Sequence, residues 1–137
     1  MPGIDECLLE AMLVPGARGA SIVDWISGLA LGTVGESPGN DHEATAAETA
    51  ELARMATEYA AFAPEQPAAG GDTGEGKDGP PVEDLIVTTR TGYHVVRFVA
   101  TTFDSSVFLH LWLDRDLGNL ALARLRLQKL AEGLVLG

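Results

Sequence analysis

Three histidines and one cysteine are the side chains of this sequence best suited to metal binding or nucleophilic catalysis. No pair among His42, His94 and His110 has the spacing of a metal-ligand motif, and Cys7 has no second cysteine to join it. His94 and His110 fall in neighbouring predicted strands, where they can face one another. We interpret them as a pair of partly covered structural histidines, and we expect Cys7 to pack in a helix rather than to react.

One glycine-rich segment comes close to a nucleotide-binding loop. Residues 71–78 match the pattern G-x-x-x-x-G-K, but the position that needs Ser or Thr to hold magnesium is Asp78. Further acids in the segment repel phosphate, and residues 79–81 read Gly-Pro-Pro where a helix should begin. The sequence therefore predicts no nucleotide site there.

No other catalytic arrangement emerges from the sequence. Ser21 and Ser106 lie in strand contexts without the G-x-S-x-G turn of hydrolases. Most carboxylates fall on predicted helix surfaces or in a loop, where solvation accounts for them. We predict that the protein is not an enzyme and that it holds neither a cofactor nor a metal.

Composition bounds the class of protein. The 137 residues suit one domain over 1–137, and a hydrophobic fraction of 46% is enough for a core. A net charge of -11 argues against binding nucleic acid or anionic lipid through general electrostatics. With a single cysteine, an acidic N-terminus and no apolar run near the roughly 20 residues of a membrane span, we expect a cytoplasmic protein without membrane insertion.

Periodicity and turn signals predict a mixed α and β chain. The predicted elements are, in order, helix 4–14, strands 18–25 and 29–34, helix 40–63 with Asn40 as its cap, strands 85–89, 93–99 and 107–113, and a helix from about Asp116. Between them, residues 64–81 have the composition of a flexible, acidic, Gly/Pro-rich loop. Strand 107–113 is apolar on both faces, so the sheet should be covered on both sides.

The second predicted helix sorts into three sectors at about 100° per residue. One sector, which we expect to meet the core, contains Leu52, Met55, Ala56, Tyr59 and Phe62. A second sector is charged, and between the two lies a seam of small residues with heptad-like spacing: Ala46, Ala50, Ala53, Thr57 and Ala60. The seam fits a close helix–helix contact in a homodimer. It also fits a helix that is simply rich in alanine, the best helix former, and periodicity alone slightly favours this second interpretation.

The order of these segments resembles a known family. Residues 16–24, followed by Gly28-Leu29-Ala30-Leu31, are similar to the first hairpin of roadblock (dynein light chain) domains. Residues 41–59 resemble the central helix, 84–97 the next hairpin, and 119–124 the start of the closing helix. The resemblance spans most of the chain except 64–81 and the termini, and it is strongest to bacterial, especially actinobacterial, members.

The resemblance implies an α+β fold, a profilin-like three-layer sandwich. Its five-stranded antiparallel sheet should carry the central helix on one face and the N- and C-terminal helices on the other. It also implies a homodimer that pairs central helices and extends the sheet through strand 85–89. On this basis the proposed dimer interface consists of Ala46, Ala50, Ala53, Thr57, Ala60, Ile86, Val87 and Thr88.

The function implied is that of a non-catalytic regulator or scaffold that binds and modulates a small Ras-like GTPase in bacterial signalling. A sensor kinase is sometimes associated, and partners can recruit such proteins to the membrane periphery. No motif identifies the residues that contact the GTPase. The alternative is a small-molecule or signal-sensing domain with a profilin/PAS-like sandwich, which needs an enclosed polar pocket, for example near His94 and His110.

Overall fold

A five-stranded antiparallel sheet lies at the centre of the structure, a computed structural model that describes residues 3–62, 81–100 and 106–134. The helices are α1 (Ile4–Ala11), α2 (His42–Glu58) and α3 (Leu120–Gly133). The strands are β1 (Ala17–Asp24), β2 (Leu29–Gly35), β3 (Asp84–Thr88), β4 (Gly92–Val99) and β5 (Val107–Asp114). Their order in the sheet is β2-β1-β5-β4-β3. The predicted loop over 64–81 lies, except for Pro81, outside the described residues.

Helix α2 begins and ends at different residues from those predicted. Its N-cap is Asp41, whose Oδ1 accepts a hydrogen bond from the Ala44 N–H at 3.0 Å, and not Asn40. Asn40 instead closes a short 3₁₀ turn with a φ of 58°. At the other end Tyr59 adopts an extended conformation, so the α-helix ends at Glu58 and a second 3₁₀ turn, Ala60–Phe62, follows it.

Helices α1 and α3 lie side by side on one face of the sheet. The core between them and the sheet is aliphatic and includes Leu8, Ile22, Leu109, Leu111, Leu113 and Leu127. Burial of each such side chain stabilises the fold by about 1.5–3 kcal/mol. Cys7 lies in this layer with 0% exposure, as expected for a packing residue.

Helix α2 covers part of the opposite face, above a smaller core. This core contains Val23, Ala46, Ala50, Ala53, Val96, Phe98 and Phe108. The rings of Phe98 and Phe108 meet edge to face with their centroids 6.2 Å apart. Strand β5 is buried on both faces along nearly its whole length, so the predicted three-layer sandwich is confirmed.

The prediction of which face of α2 meets the core is wrong. Met55, Tyr59 and Phe62 are 46%, 55% and 54% exposed, although the sequence assigned them to the core. The seam alanines Ala50 and Ala53 are instead 0% exposed and pack against the sheet. Three of the residues predicted to meet a second copy are therefore already buried within one chain: Ala46, Ala50 and Ala53.

The bulk of the sheet side chains gives the physical reason for this reversal. Phe98 and Phe108 already fill the layer beneath α2. Because protein interiors are close-packed, a helix that lies close to β2 and β1 and shares its core layer with two such rings has room mainly for small side chains. Of the sector predicted for the core, the small Ala56 is buried at 6% exposure, whereas Met55 lies outside.

Candidate functional site

The two histidines predicted to face each other do so across β4 and β5. His94 Nδ1 and His110 Nε2 are 2.9 Å apart, within hydrogen-bonding distance. The His94 ring also stacks on Trp112, with 5.9 Å between centroids and 7° between planes. The Arg18 guanidinium lies 3.8 Å from the centroid of the Trp112 ring and forms an ion pair with Glu36 at 2.9 Å. The result is one continuous polar and aromatic cluster on the α2 side of the sheet.

Both histidines of this cluster are held in the neutral form. Burial lowers the pKa of His94, and it lowers the pKa of His110 to about 3, with smaller contributions from the neighbouring His94 and His42 charges. A general acid or base works best with a pKa near the working pH. His110 is therefore poorly matched to proton transfer near pH 7, and the pair is better explained as a structural contact between strands.

A small polar cavity lies beside the histidine pair. Its volume is about 10 Å³, and its polar lining comes from Ser21, Ser37, His42, Thr45 and His110. That volume is close to the space one water molecule needs and far below the roughly 300 Å³ of a small-molecule pocket. The cavity therefore counts against the sensor alternative at the place where the sequence suggested a pocket.

The other candidate nucleophiles are also in structural positions. Burial, and secondarily the charge of Glu10, raises the pKa of the Cys7 thiol to about 11, which keeps it in the unreactive thiol form. Ser21 and Ser106 are buried in or beside strands. Within residues 3–62, 81–100 and 106–134, no group of three or more His, Cys, Asp or Glu side chains is arranged to hold a metal ion.

The outer flank of α2 carries apolar side chains that have no cover in the described chain. Met55 and Tyr59 are about half exposed, and Leu52 is partly buried beside them. On the opposite flank Arg54 donates a hydrogen bond from Nη1 to the Trp25 carbonyl at 2.8 Å, which holds that flank against the β1–β2 hairpin. The apolar side chains therefore lie away from that contact, on the outer surface of α2.

Strand β3 forms one edge of the sheet. The Phe98 N–H donates to the Glu83 carbonyl at 3.1 Å and the Thr89 N–H donates to the Gly92 carbonyl at 2.8 Å, so the odd-numbered residues 83–89 bond to β4. The peptide groups that remain point away from the sheet, and they belong to Asp84, Ile86 and Thr88. Ile86 and Val87 are 37% and 38% exposed.

The two edges of the sheet differ in how well they suit pairing with another strand. β2 carries an irregularity where its register with β1 shifts between Ile22 and Val23, and bulges of this kind protect edges. β3 pairs with β4 through five residues without a shift. Charged side chains are another common protection of sheet edges, and residues 85–89 have none. Among the described residues, the β3 edge is therefore the one open to a further strand.

The residues predicted for a dimer interface thus separate into two groups. Ile86, Val87 and Thr88 are exposed on the free edge. Thr57 is partly buried, and its hydroxyl donates to the Ala53 and Arg54 carbonyls of its own helix. The alanines at 46, 50 and 53 lie in the core, and the side chain of residue 60 is outside the described part. The sequence analysis missed Met55 and Tyr59 as surface residues because their apolar character is equally typical of a core.

No helix within the described residues combines the length and the hydropathy needed to cross a membrane.

Solved structures identify the fold, although no protein-family profile and no curated protein sequence matches this chain. The roadblock/LC7 domain from Streptomyces avermitilis is 19% identical, with a TM-score of 0.65 over 96% of this chain and 93% of that chain. MglB with a tetrameric arrangement is 18% identical, with a TM-score of 0.68 over 94% and 82%. The gliding protein MglB from Thermus thermophilus is 17% identical, with a TM-score of 0.68 over 94% and 83%. This chain therefore has the roadblock/LC7 fold that its sequence resembles.

Proposed function

We propose that this chain is a bacterial member of the roadblock family, a non-catalytic homodimer that binds and regulates a small Ras-like GTPase. The observation that carries the proposal is the uncovered apolar flank of α2 together with the unpaired edge of β3, on a domain with the roadblock/LC7 fold. Exposed apolar side chains and a free strand edge are typical of a protein that works by association.

The proposed dimer is centred on the β3 edge. A two-fold axis at Ile86 sets its outward N–H and C=O against those of the same residue in the second copy. Asp84 of each copy then lies opposite Thr88 of the other, so all three outward-facing residues find backbone partners. The two sheets join into one of ten strands, and Ile86 and Val87 lose much of their exposure.

The outer flank of α2 completes the proposed interface. Met55 and Tyr59 are exposed on the outer surface of α2, and in the proposed dimer the two-fold axis at β3 brings the two helices together over the joined sheets. The interface residues on the helix are then Leu52, Met55 and Tyr59, in place of the alanine seam. Aromatic residues and methionine are enriched at the centres of protein interfaces, which agrees with this assignment.

The acidic side chains of α2 provide the chemistry for a partner outside the dimer. Glu51 and Glu58 are exposed on this helix beside the proposed interface, and of these two only Glu51 has a nearby cation among the described residues, Arg54 at 3.8 Å. Charges of one sign across a helix steer an oppositely charged partner and set the register of the complex. We propose that these acidic side chains bind a basic surface of the GTPase. An associated sensor kinase, a cytoplasmic location and peripheral recruitment by partners rest on the family resemblance.

Analytical ultracentrifugation of matched variants tests the dimer. Met55→Glu places a charge on the proposed interface and should abolish association through α2 and β3, whereas Leu31→Glu, at an equally exposed position on the β2 edge, should leave that association intact; both residues are 46% exposed. Ile86→Pro removes one outward N–H without removing a bond to β4, and it should also weaken the dimer. A monomeric wild-type protein, or equal effects of the two glutamates, would rule out this interface.

A binding and hydrolysis assay tests the GTPase partner. The small Ras-like GTPases encoded in the same genome are loaded with GDP or with a GTP analogue and mixed with the immobilised protein. We expect one of them to bind in one nucleotide state and to change its rate of GTP hydrolysis or its location. Absence of binding in both states for every such GTPase would contradict the proposal, whatever the oligomeric state.

A further inference from the structure

The face of the molecule opposite α2 carries a second set of exposed apolar side chains. Leu9 and Leu13, on α1 and the turn after it, are 61% and 69% exposed. Leu117 and Leu125, before and within α3, are 72% and 62% exposed. The same helices bury Leu8 and Leu127 in the core, whereas the four exposed leucines are not part of it. Scattered apolar residues are ordinary on a surface, but four on two adjacent helices and the segments that flank them form a patch.

The two pairs of leucines lie on neighbouring parts of this face. The Gly16 carbonyl accepts a hydrogen bond from the Asp114 N–H at 2.8 Å, which places the end of the α1 segment against the β5–α3 turn. A Cβ built on Gly16 would come within 2.7 Å of the Leu117 backbone. The C-terminal end of α1 is therefore beside the start of α3. Because the helices run side by side from there in opposite directions, Leu9 and Leu125 lie at similar distances from this junction.

The two helices carry opposite charges around these leucines. α1 exposes Asp5, Glu6 and Glu10, whereas α3 exposes Arg126, Lys129 and one acid, Glu132, towards its C-terminal part, so the exposed charge of α1 is negative and that of α3 is net positive. Within the described residues, none of these six groups forms an ion pair. Arg124, the remaining cation of α3, is held by Asp84 of β3 at 2.7 Å. The face is thus acidic on one side of the leucines and basic on the other.

We infer that this α1/α3 face binds a second copy of the chain, with α1 of each copy over α3 of the other. A two-fold axis between the helices sets the acids of α1 opposite Arg126 and Lys129 of the second copy, and it sets leucine against leucine between them. An interface of this kind must match itself under rotation, and a face with acid on one half and base on the other does so. A partner of a single charge sign would be attracted by one half and repelled by the other.

This contact is independent of the proposed dimer through α2 and β3, because it uses the opposite face of the sheet. A chain that uses both surfaces forms a tetramer, a dimer of dimers. A chain that uses only the α1/α3 face forms a dimer that Met55→Glu leaves intact. The two inferences therefore fail separately in the same experiment.

Sedimentation velocity over a range of concentrations tests the contact. Leu125→Glu should remove one association step, raising its dissociation constant at least about tenfold, because the new carboxylate is buried against apolar side chains. Leu29→Glu, at a 65% exposed position on the β2 hairpin, is the matched control and should change nothing. Circular dichroism confirms that both variants are folded. An unchanged association of Leu125→Glu would overturn the inference.

Charge reversal distinguishes a specific contact from nonspecific hydrophobic association through the leucines. The double variant Arg126→Glu/Lys129→Glu should lose the association step, and wild-type association should weaken as salt rises. Adding Asp5→Lys, Glu6→Lys and Glu10→Lys to that variant exchanges the two halves of the face, so association should return. Failure of this rescue, with all variants folded, would show that no second copy binds in the arrangement described.

Discussion

The two faces of the sheet are packed by different means. Beneath α1 and α3, the helices bring Leu8 and Leu127, together with Cys7 and three alanines, to a sheet face mostly of leucines and valines, and two helices share the area. Beneath α2, the sheet supplies Phe98 and Phe108, and a single helix supplies alanines. The α1/α3 side is thus built from side chains contributed equally by helix and sheet. On the α2 side the large side chains come from the sheet, and the helix packs closely against it through its alanines.

This difference explains where the larger apolar residues of each helix go. A helix that contacts its sheet through alanine leaves its methionine and tyrosine to the outside, as Met55 and Tyr59 show. Helix α3 instead buries one large side chain, Leu127, between its alanines, while Leu125 stays 62% exposed. A stripe of alanine beside a stripe of larger apolar residues is therefore compatible with an association surface on the larger stripe.

The strongest way to break the comparison is to place a charge beneath α2. Ala50→Glu puts a carboxylate against Phe108 and Val23, and we expect it to lower the free energy of unfolding by at least about 4 kcal/mol. Urea denaturation measures this change. Ala47→Glu, at an exposed position of the same helix, is the control and should unfold like the wild type. A stable, monomeric Ala50→Glu protein would mean that the alanines face outwards.

A cavity beneath α3 tests the packing of the other face. Leu127→Ala removes a side chain that is 1% exposed, and we expect a loss of about 2–5 kcal/mol in the free energy of unfolding. Leu125→Ala, two residues away and 62% exposed, should change it by less than about 0.5 kcal/mol. Equal losses from the two variants would show that α3 is rotated from the orientation described.

Acid should act through the α2 side of the sheet. Burial depresses the pKa of His110 to about 3 and lowers that of His94, so the folded state binds fewer protons than the unfolded state. Stability is therefore complete above the unfolded pKa of about 6.5 and falls as the pH drops towards 3, with a slope of up to about 1.4 kcal/mol per pH unit from His110.

Urea denaturation at a series of pH values measures this slope. His110→Gln removes the titrating group while keeping a polar side chain, and it should flatten the curve between pH 6 and 4 relative to the wild type. The remaining slope then belongs to His94, whose pKa burial also lowers, and to carboxylates, which titrate at the lower end of the range. A curve of unchanged shape would mean that the His94–His110 pair is charged in the folded protein.

The smallest expected effects come from the helix caps, where the two faces should behave alike. Asp41 caps α2 and Asn119 caps α3, each by accepting one backbone hydrogen bond at 3.0 Å. Asp41→Ala and Asn119→Ala should each lower the free energy of unfolding by about 1 kcal/mol. Thermal unfolding compares them. A much larger loss at one cap would show that its helix depends on local structure more than on packing against the sheet.

Much of the fold follows from local patterns in the sequence. The doubly apolar run at 107–113 predicted a strand covered on both sides, because alternate residues of a strand face opposite sides of the sheet. The Arg90-Thr91-Gly92 turn between two β-branched runs predicted the β3–β4 hairpin. The helix boundaries were less predictable, since Asn40 and Asp41 are both good caps and only the backbone path selects between them.

The candidate surface was only partly predictable. The strand at 85–89 was assigned to an interface by family resemblance, and its place at the sheet edge supports that assignment. The side of α2 that meets the core was predicted wrongly, because Ala50 and Met55 lie in adjacent sectors that are both apolar. Periodicity measures the direction of hydrophobicity around a helix, and it contains nothing about the size of the space that the helix must fill.

The sequence by itself therefore determined the order of helices and strands, the two-sided burial of β5 and the absence of a complete phosphate-loop motif, because each depends on residues that are neighbours in the chain. Only the tertiary structure decided that Ala50 rather than Met55 packs on the sheet. It also decided that His94 meets His110 and that β3 keeps a free edge. Each of these depends on the volume and hydrogen-bonding groups that distant segments bring to one place, and no local pattern contains that information.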